Sequence, residues 1–323
     1  EYSTDESHWK PYTIGEEIAL ADGAFVLFRA SEQNNPKFSK FIGDYYHFEM
    51  SGSITAQGNI MSLLSRDFSS PLSSHVFYSL FKGCASLLSA PELPATTLDH
   101  ECYFLMFKEC TGLKSAPELP AKVLKSGCYH GMFSGCTSLQ AAPELPATEL
   151  ADLCYMTMFS GCTGLTSAPE LPATELANDC YYAMFEGCTS LTSAPKLPAK
   201  ELSSYCYFNM FGGCTSLTSA PELPATILVS RCYIRMFEGC TSLTSAPVLP
   251  AKDLVENCYH GMFRNCSKLR YVKALFITKP SKETTEDWLS GVDDFGTFVK
   301  SKDATWKVSG ANGIPETWKI ETE

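Results

Sequence analysis

Fifteen cysteines are the residues of this chain best suited to chemistry, because a thiolate can act as a nucleophile, bind zinc or close a disulfide. Their spacing decides among these roles. All lie between Cys84 and Cys266, at intervals that alternate 18 and 8, so they form two series of period 26. One series is Cys84, Cys110, Cys136, Cys162, Cys188, Cys214, Cys240 and Cys266; the other is Cys102, Cys128, Cys154, Cys180, Cys206, Cys232 and Cys258. Zinc would call for C-x-x-C pairs, whereas the closest pairs here are C-x7-C and neither series contains a His. Disulfides between equivalent positions would tie neighbouring units in an awkward parallel geometry, and the odd count leaves one thiol over. The third reading is a small apolar filler. Val76 stands where the second series would begin one period earlier, and a place that accepts Val does not require a thiolate. Buried free thiols are therefore the expectation for both series.

The other reactive side chains form no recognisable grouping. His8, His47 and His75 are scattered near the start, and His100, His130 and His260 fall in variable stretches; no Ser-His-Asp or Cys-His spacing stands out. Asp293 and Asp294 read as a solvated turn, and there is no G-x-x-x-x-G-K-[ST] loop. No enzyme activity, cofactor or metal is expected. The net charge of −11 argues against a nucleic-acid backbone or an anionic membrane as the main partner. No apolar run approaches the roughly 20 residues of a membrane span. The sequence opens on Glu1 without a charged-then-apolar leader, so a targeting segment or lipid anchor is expected outside this stretch.

The elements that must position the cysteines follow from the same period. One unit, Cys188 to Gly213, reads CTSLTSAPKLPAKELSSYCYFNMFGG, and seven copies run without insertion or deletion. A fixed period of this size marks a solenoid, whose single units cannot stand alone and bury their surfaces by stacking. The stretch "LTSAPEL" carries two fixed prolines and suits a very short parallel strand ended by the first of them. Leu202, Cys206, Met210 and Cys214 are four apart with Phe211 adjacent, a stripe that predicts a short helix. Each 26-residue coil is thus expected to be strand, proline corner, helix and Gly-rich turn, giving an α/β repeat solenoid with Leu, Met and Phe columns in its core.

One period before Leu87 stands Met61, and one after Leu243 stands Leu269, so nine strand rungs are expected. The domain reading is a degenerate first coil at 58–83, seven regular coils at 84–265 and a final strand at 266–275. A small all-β module is expected at 1–57, built on "AFVLF" and "YYHFEMSGSI", and an irregular capping module at 276–323.

Three surfaces offer themselves for binding. The strand face is expected to present Thr166, Thr192, Thr218 and Thr244, beside Glu92, Glu118, Glu144, Glu170, Lys196 and Glu222. Stacked single Glu contacts would coordinate calcium poorly. The column Tyr103, Tyr129, Tyr155, Tyr181, Tyr207, Tyr233 and Tyr259 is either an aromatic platform for sugars or extended chains, or an internal stack whose hydroxyls reach corner carbonyls. The most variable positions flank the second cysteine and are expected to face solvent opposite the strands.

"MFxGCTSL" followed by a short strand and "LP" resembles the BspA-like leucine-rich repeats of bacterial surface and secreted proteins, over roughly residues 58–275. The family's usual repeat is a few residues shorter, with Ile-Gly where this chain has Cys-Tyr and Ala-Phe where it has Met-Phe. The lead-in "AQGNIMSLL" and the tail "DWLSGVDDFGTFVK" also look like flanks of family members. The resemblance implies a leucine-rich-repeat fold and an extracellular location on a bacterial surface. It further implies a role in adhesion to a host or matrix protein or a glycan, and it carries no catalytic residues. A structural stalk is the alternative, and a polysaccharide-processing accessory a distant third. A monomer is expected.

Overall fold

Successive 26-residue units are joined by backbone hydrogen bonds of two very unequal kinds, and the stronger kind lies where a helix was expected. In the computed structural model, which describes residues 1–31, 45–68 and 71–323, the stretch from Cys206 to Cys214 is a run of linked turns. Its N–H groups alternate between two acceptors. Cys206, Phe208, Met210, Gly212 and Cys214 donate three residues back within their own coil, at 3.0–3.3 Å. The residues between them donate to the next coil: Tyr207 to Cys232, Asn209 to Ile234, Phe211 to Met236 and Gly213 to Glu238, at 2.7–3.1 Å. An α-helix would spend every N–H inside its own coil; here half of them are spent on the neighbour. Each linked turn takes four residues, so it presents the same four-spaced stripe as a helix. That is why Leu202, Cys206, Met210 and Cys214 misled.

The alternation needs a left-handed residue once per turn. In this coil Tyr205, Asn209 and Gly213 have φ of 54°, 50° and 70°. Only the last of these positions is regularly glycine: Gly135, Gly161, Gly187, Gly213 and Gly239 follow one another at φ of 69–75°, where a non-glycine residue costs roughly 1–2 kcal/mol.

The strand side is weaker. Single N–H groups cross here to the previous coil, as from Thr192 to Thr166 and from Thr218 to Thr192, at 3.4–3.5 Å. Pro195 and Pro198 have no N–H to give. Most regular coils therefore contribute isolated parallel bridges, such as Ser193↔Ser219 and Glu175↔Glu201, rather than strands.

Packing between the two sides is by columns of identical residues. The rings from Phe48 and Phe81 through to Phe263 stack at centroid spacings of 5.2–5.7 Å. Phe77 and the seven tyrosines stack likewise at 5.7–6.0 Å. All fifteen cysteines are free and buried, but the two series differ. Each thiol of the first donates to the carbonyl of a Phe in the coil before, for example Cys188 Sγ to Phe159 O at 3.1 Å and Cys214 Sγ to Phe185 O at 3.1 Å. The second series makes at most long contacts, such as Cys206 Sγ to Cys232 O at 3.9 Å. Filler describes the second column, where Val76 is also buried; the first is a column of hydrogen-bond donors.

Both ends depart from the sequence reading. The first rung is not Met61, which lies in a 3₁₀ turn, Ile60–Leu63. It is the strand Ile54–Thr55 (β3), which pairs parallel with Leu87–Ser89 (β4). Ile54 to Leu87 is 33 residues, so the first coil is seven longer than the repeat. Phe48 already occupies a core place one coil earlier: it accepts from Cys84 Sγ at 3.0 Å and stacks on Phe81. Of the β module expected at 1–57, the described residues show one antiparallel strand pair, Tyr2–Ser3 (β1) with Leu27–Phe28 (β2), and an antiparallel bridge from Tyr2 to Lys10. Residues 32–44 lie outside the described residues. At the other end the turn ladder runs past residue 275: Tyr259, Gly261, Phe263 and Asn265 donate to Thr284, Glu286, Trp288 and Ser290 at 2.7–3.1 Å. Within it sits a four-residue helix, Lys282–Thr285 (α1). The strands Tyr271–Ala274 (β5), Thr297–Lys300 (β6) and Lys319–Thr322 (β7) form a parallel sheet in the order β5-β6-β7. Trp288, Trp306 and Trp318 close this end, and their indole N–H groups donate to the carbonyls of Gly313, Phe276 and Asp293 at 2.7–3.2 Å.

The inequality of the cysteine columns is measurable. Cys180→Val, in the filler column, is expected to shift stability by less than about 1 kcal/mol. Cys188→Val removes a donor and adds bulk, and is expected to cost about 1–3 kcal/mol. Urea denaturation of the two variants checks the difference.

Candidate functional site

The residue types with the most reactive chemistry are the ones the fold puts out of reach. Burial pushes the thiols of Cys84 and Cys258 up to about 11 and those of Cys128, Cys162, Cys206 and Cys266 up to about 12. The other nine are raised by the same cause. A thiol that stays protonated is neither nucleophile nor ligand. Among the described residues, no three His, Cys, Asp or Glu side chains gather as a metal site.

The tyrosine column is a correction to one of the three candidate surfaces. Tyr103, Tyr129, Tyr155, Tyr181, Tyr207, Tyr233 and Tyr259 are all buried, at 1–2% exposure. Each ring face lies against the ring of the next coil, so no face is left for a sugar. Their hydroxyls do not serve as corner donors throughout either: those of Tyr103 and Tyr129 are buried without a hydrogen-bond partner.

The variable positions opposite the strands also differ from expectation. The first residue of each variable pair is half-buried, through Phe104, His130, Met156, Tyr182 and Phe208, and Ile234 is buried. These side chains stack as well: Tyr78 on Phe104 at 4.8 Å, Phe104 on His130 at 4.4 Å, and Tyr182 on Phe208 at 4.4 Å. Burial, helped by Lys108, holds the His130 imidazole down to about 4, so it is a neutral ring at pH 7. Beside this ridge a shallow groove of about 480 Å³ runs past Glu186, Asn209, Arg235, Glu238 and Asn265. There Glu238 pairs with Arg235 at 3.3 Å and Arg264 at 3.8 Å. Sequence reasoning passed over these three because they fall at unconstrained positions, Arg235 and Glu238 in one coil and Arg264 in the next. Their 3- and 26-residue separations were the available signal.

The strand face presents the remaining candidates together. Thr166, Thr192, Thr218 and Thr244 are exposed, as are Glu92, Glu118, Glu144, Glu170, Lys196 and Glu222. The Thr side chains are oriented by the stack: Thr192 Oγ1 donates to Thr166 O at 3.5 Å and Thr218 Oγ1 to Thr192 O at 3.4 Å. A second acidic column, Glu149, Glu175 and Glu201, is also exposed. Val123 and Ile227, 44% and 78% exposed, interrupt it on either side. The proline corners turn the chain here without backbone N–H groups, and the side chains are carried on buried leucines such as Leu191 and Leu197. The result is a regular surface of hydroxyls and carboxylates, one set per coil.

No protein-family model matches the chain, and no curated protein matches it. Among solved structures, a leucine-rich repeat protein from Bacteroides ovatus ATCC 8483 is 17% identical, covering 78% of this chain and 82% of that one, with a TM-score of 0.33. A leucine rich cell surface protein from Faecalibacterium prausnitzii A2-165 is 14% identical, covering 95% of each chain, with a TM-score of 0.35. Superpositions this loose carry no weight for fold or function; the repeat solenoid stands on the chain's own ladders and columns.

Buried thiols and phenols make stability depend on pH in one direction. Unfolded thiols ionise near about 8.5, while the folded chain keeps them protonated well above that. Above this pH the unfolded state binds fewer protons than the folded one, so stability falls as pH rises. Urea midpoints are expected to be level below about pH 8 and to drop from about pH 9 upward. Native protein at neutral pH is expected to react slowly with a thiol reagent, and denatured, unreduced protein to release all fifteen thiols; finding only two or three would mean disulfides.

Proposed function

We propose that this chain is a non-catalytic binding protein of a bacterial cell surface, with BspA-like leucine-rich repeats, that meets a protein or glycan through its strand face. One observation supports this reading above others. The exposed Thr and Glu columns repeat once per coil on a stack whose fifteen thiols are all buried. Such a surface makes many weak, equivalent contacts, and its affinity grows with the number of coils engaged. It suits an extended partner that repeats itself. The same uniformity also favours a second reading, a stalk that holds another module away from the cell.

Removal of two regular coils separates the readings, because the stack should close again over the deletion. An array of glycans and matrix proteins probed with the whole chain is expected to give a partner, and the variant lacking 136–187 to bind it several-fold more weakly. Full binding by the shortened chain, or no partner on the array, would favour the stalk. Replacing Thr166, Thr192 and Thr218 together by Lys is expected to abolish capture without altering the fold.

A further inference from the structure

The solenoid's core does not stop at its last strand. The apolar column Val272, Phe298, Ile320 is 0%, 0% and 52% exposed, and β7 is the edge of its sheet. Lys319 and Glu323 donate their N–H groups to Gly296 and Lys300 of the neighbouring stretch at 2.9 and 3.1 Å. Successive residues of a strand point to opposite sides, so Ile320 and Thr322 direct their N–H and C=O groups to the open side. An edge of this kind is a template for another strand.

The sequence at that edge is complementary to itself. Lys319 and Glu321 flank Ile320 and lie on the opposite side of the sheet from it; they pair with each other at 2.6 Å. Placed antiparallel about a two-fold axis through Ile320, a second β7 sets its Glu321 against Lys319 and its Lys319 against Glu321. It brings Ile320 against Ile320 as a hydrogen-bonded pair, each residue exchanging both backbone bonds. The axis is perpendicular to the sheet, so the core column of one copy runs on into that of the other.

We propose that the open edge of β7 is a docking site for a second copy of this chain, giving an antiparallel, two-fold dimer centred on Ile320 in place of the monomer expected from the sequence. The contact is short, so the dimer is weak, and its register is fixed by the two crossed ion pairs.

Sedimentation of the 323-residue chain between about 10 μM and about 1 mM is expected to show concentration-dependent dimerisation. Lys319→Glu and Glu321→Lys each put like charges across the axis and are expected to weaken the dimer about three- to tenfold. The double variant K319E/E321K restores the pairing and is expected to recover it. Ile320→Cys places two thiols on Cα atoms about 5.5 Å apart, within disulfide range. Because the fifteen native thiols are buried, oxidation is expected to give a covalent dimer through that residue. All three positions are exposed, so circular dichroism should be unchanged. A monomer throughout the range, single and double charge variants of equal affinity, or failure of Ile320→Cys to cross-link would overturn the proposal.

Discussion

In each regular coil, every second N–H of the turn segment is given to the coil that follows. The rest of the molecule depends on that alternation. A donor spent on a neighbour fixes the neighbour's position to within a hydrogen bond, and four or five such bonds per coil fix its register as well. An inserted residue would shift donors into the places of internal turn bonds, which accounts for seven coils of equal length. The left-handed residues are the cost of the same pattern. Asn209 is held at positive φ where its N–H points along the stack, to Ile234 O, rather than around the coil.

The ladder also decides what becomes of the conspicuous side chains. Once coils are locked in register, equivalent residues must stack, and whatever chemistry they bring is shared with their own copies. Tyrosine becomes a pile of rings with no free face. Cysteine becomes, in one column, a donor to a Phe carbonyl that already accepts the N–H three residues on, as Phe159 does from Cys162. Surface character is left to the side where backbone bonding is thinnest. Prolines there remove donors, and buried leucines hold the chain by packing, so Thr and Glu can repeat without disturbing the stack.

Much of this was legible in the sequence, and the gaps have physical causes. The period, the buried Leu, Met, Phe and Cys columns and the exposed Thr and Glu columns follow from residue identity alone. The turn ladder did not, because a four-residue turn and a helical turn space side chains alike and differ only in where N–H groups go. The first rung was misplaced because seven extra residues separate Ile54 from Leu87, and stepping back by 26 lands in the excess. The final coil was hidden because Thr284, Thr285, Trp288 and Leu289 stand where Cys, Tyr, Met and Phe do elsewhere; the geometry persists after the letters have changed. The exposure of the tyrosines could not be read from spacing, since inward and outward columns share one period.

A structure joined only from neighbour to neighbour has an unusual response to tension. An interior coil is held by two ladders and a terminal one by a single ladder, so a pull on the chain ends strips coils from the ends inward. Each one released would yield 26 residues, about 90 Å of extended chain, before the next begins to give way. Work done on the molecule would then be dissipated in small equal steps. For a chain strung between two surfaces that move apart, this amounts to a built-in damper.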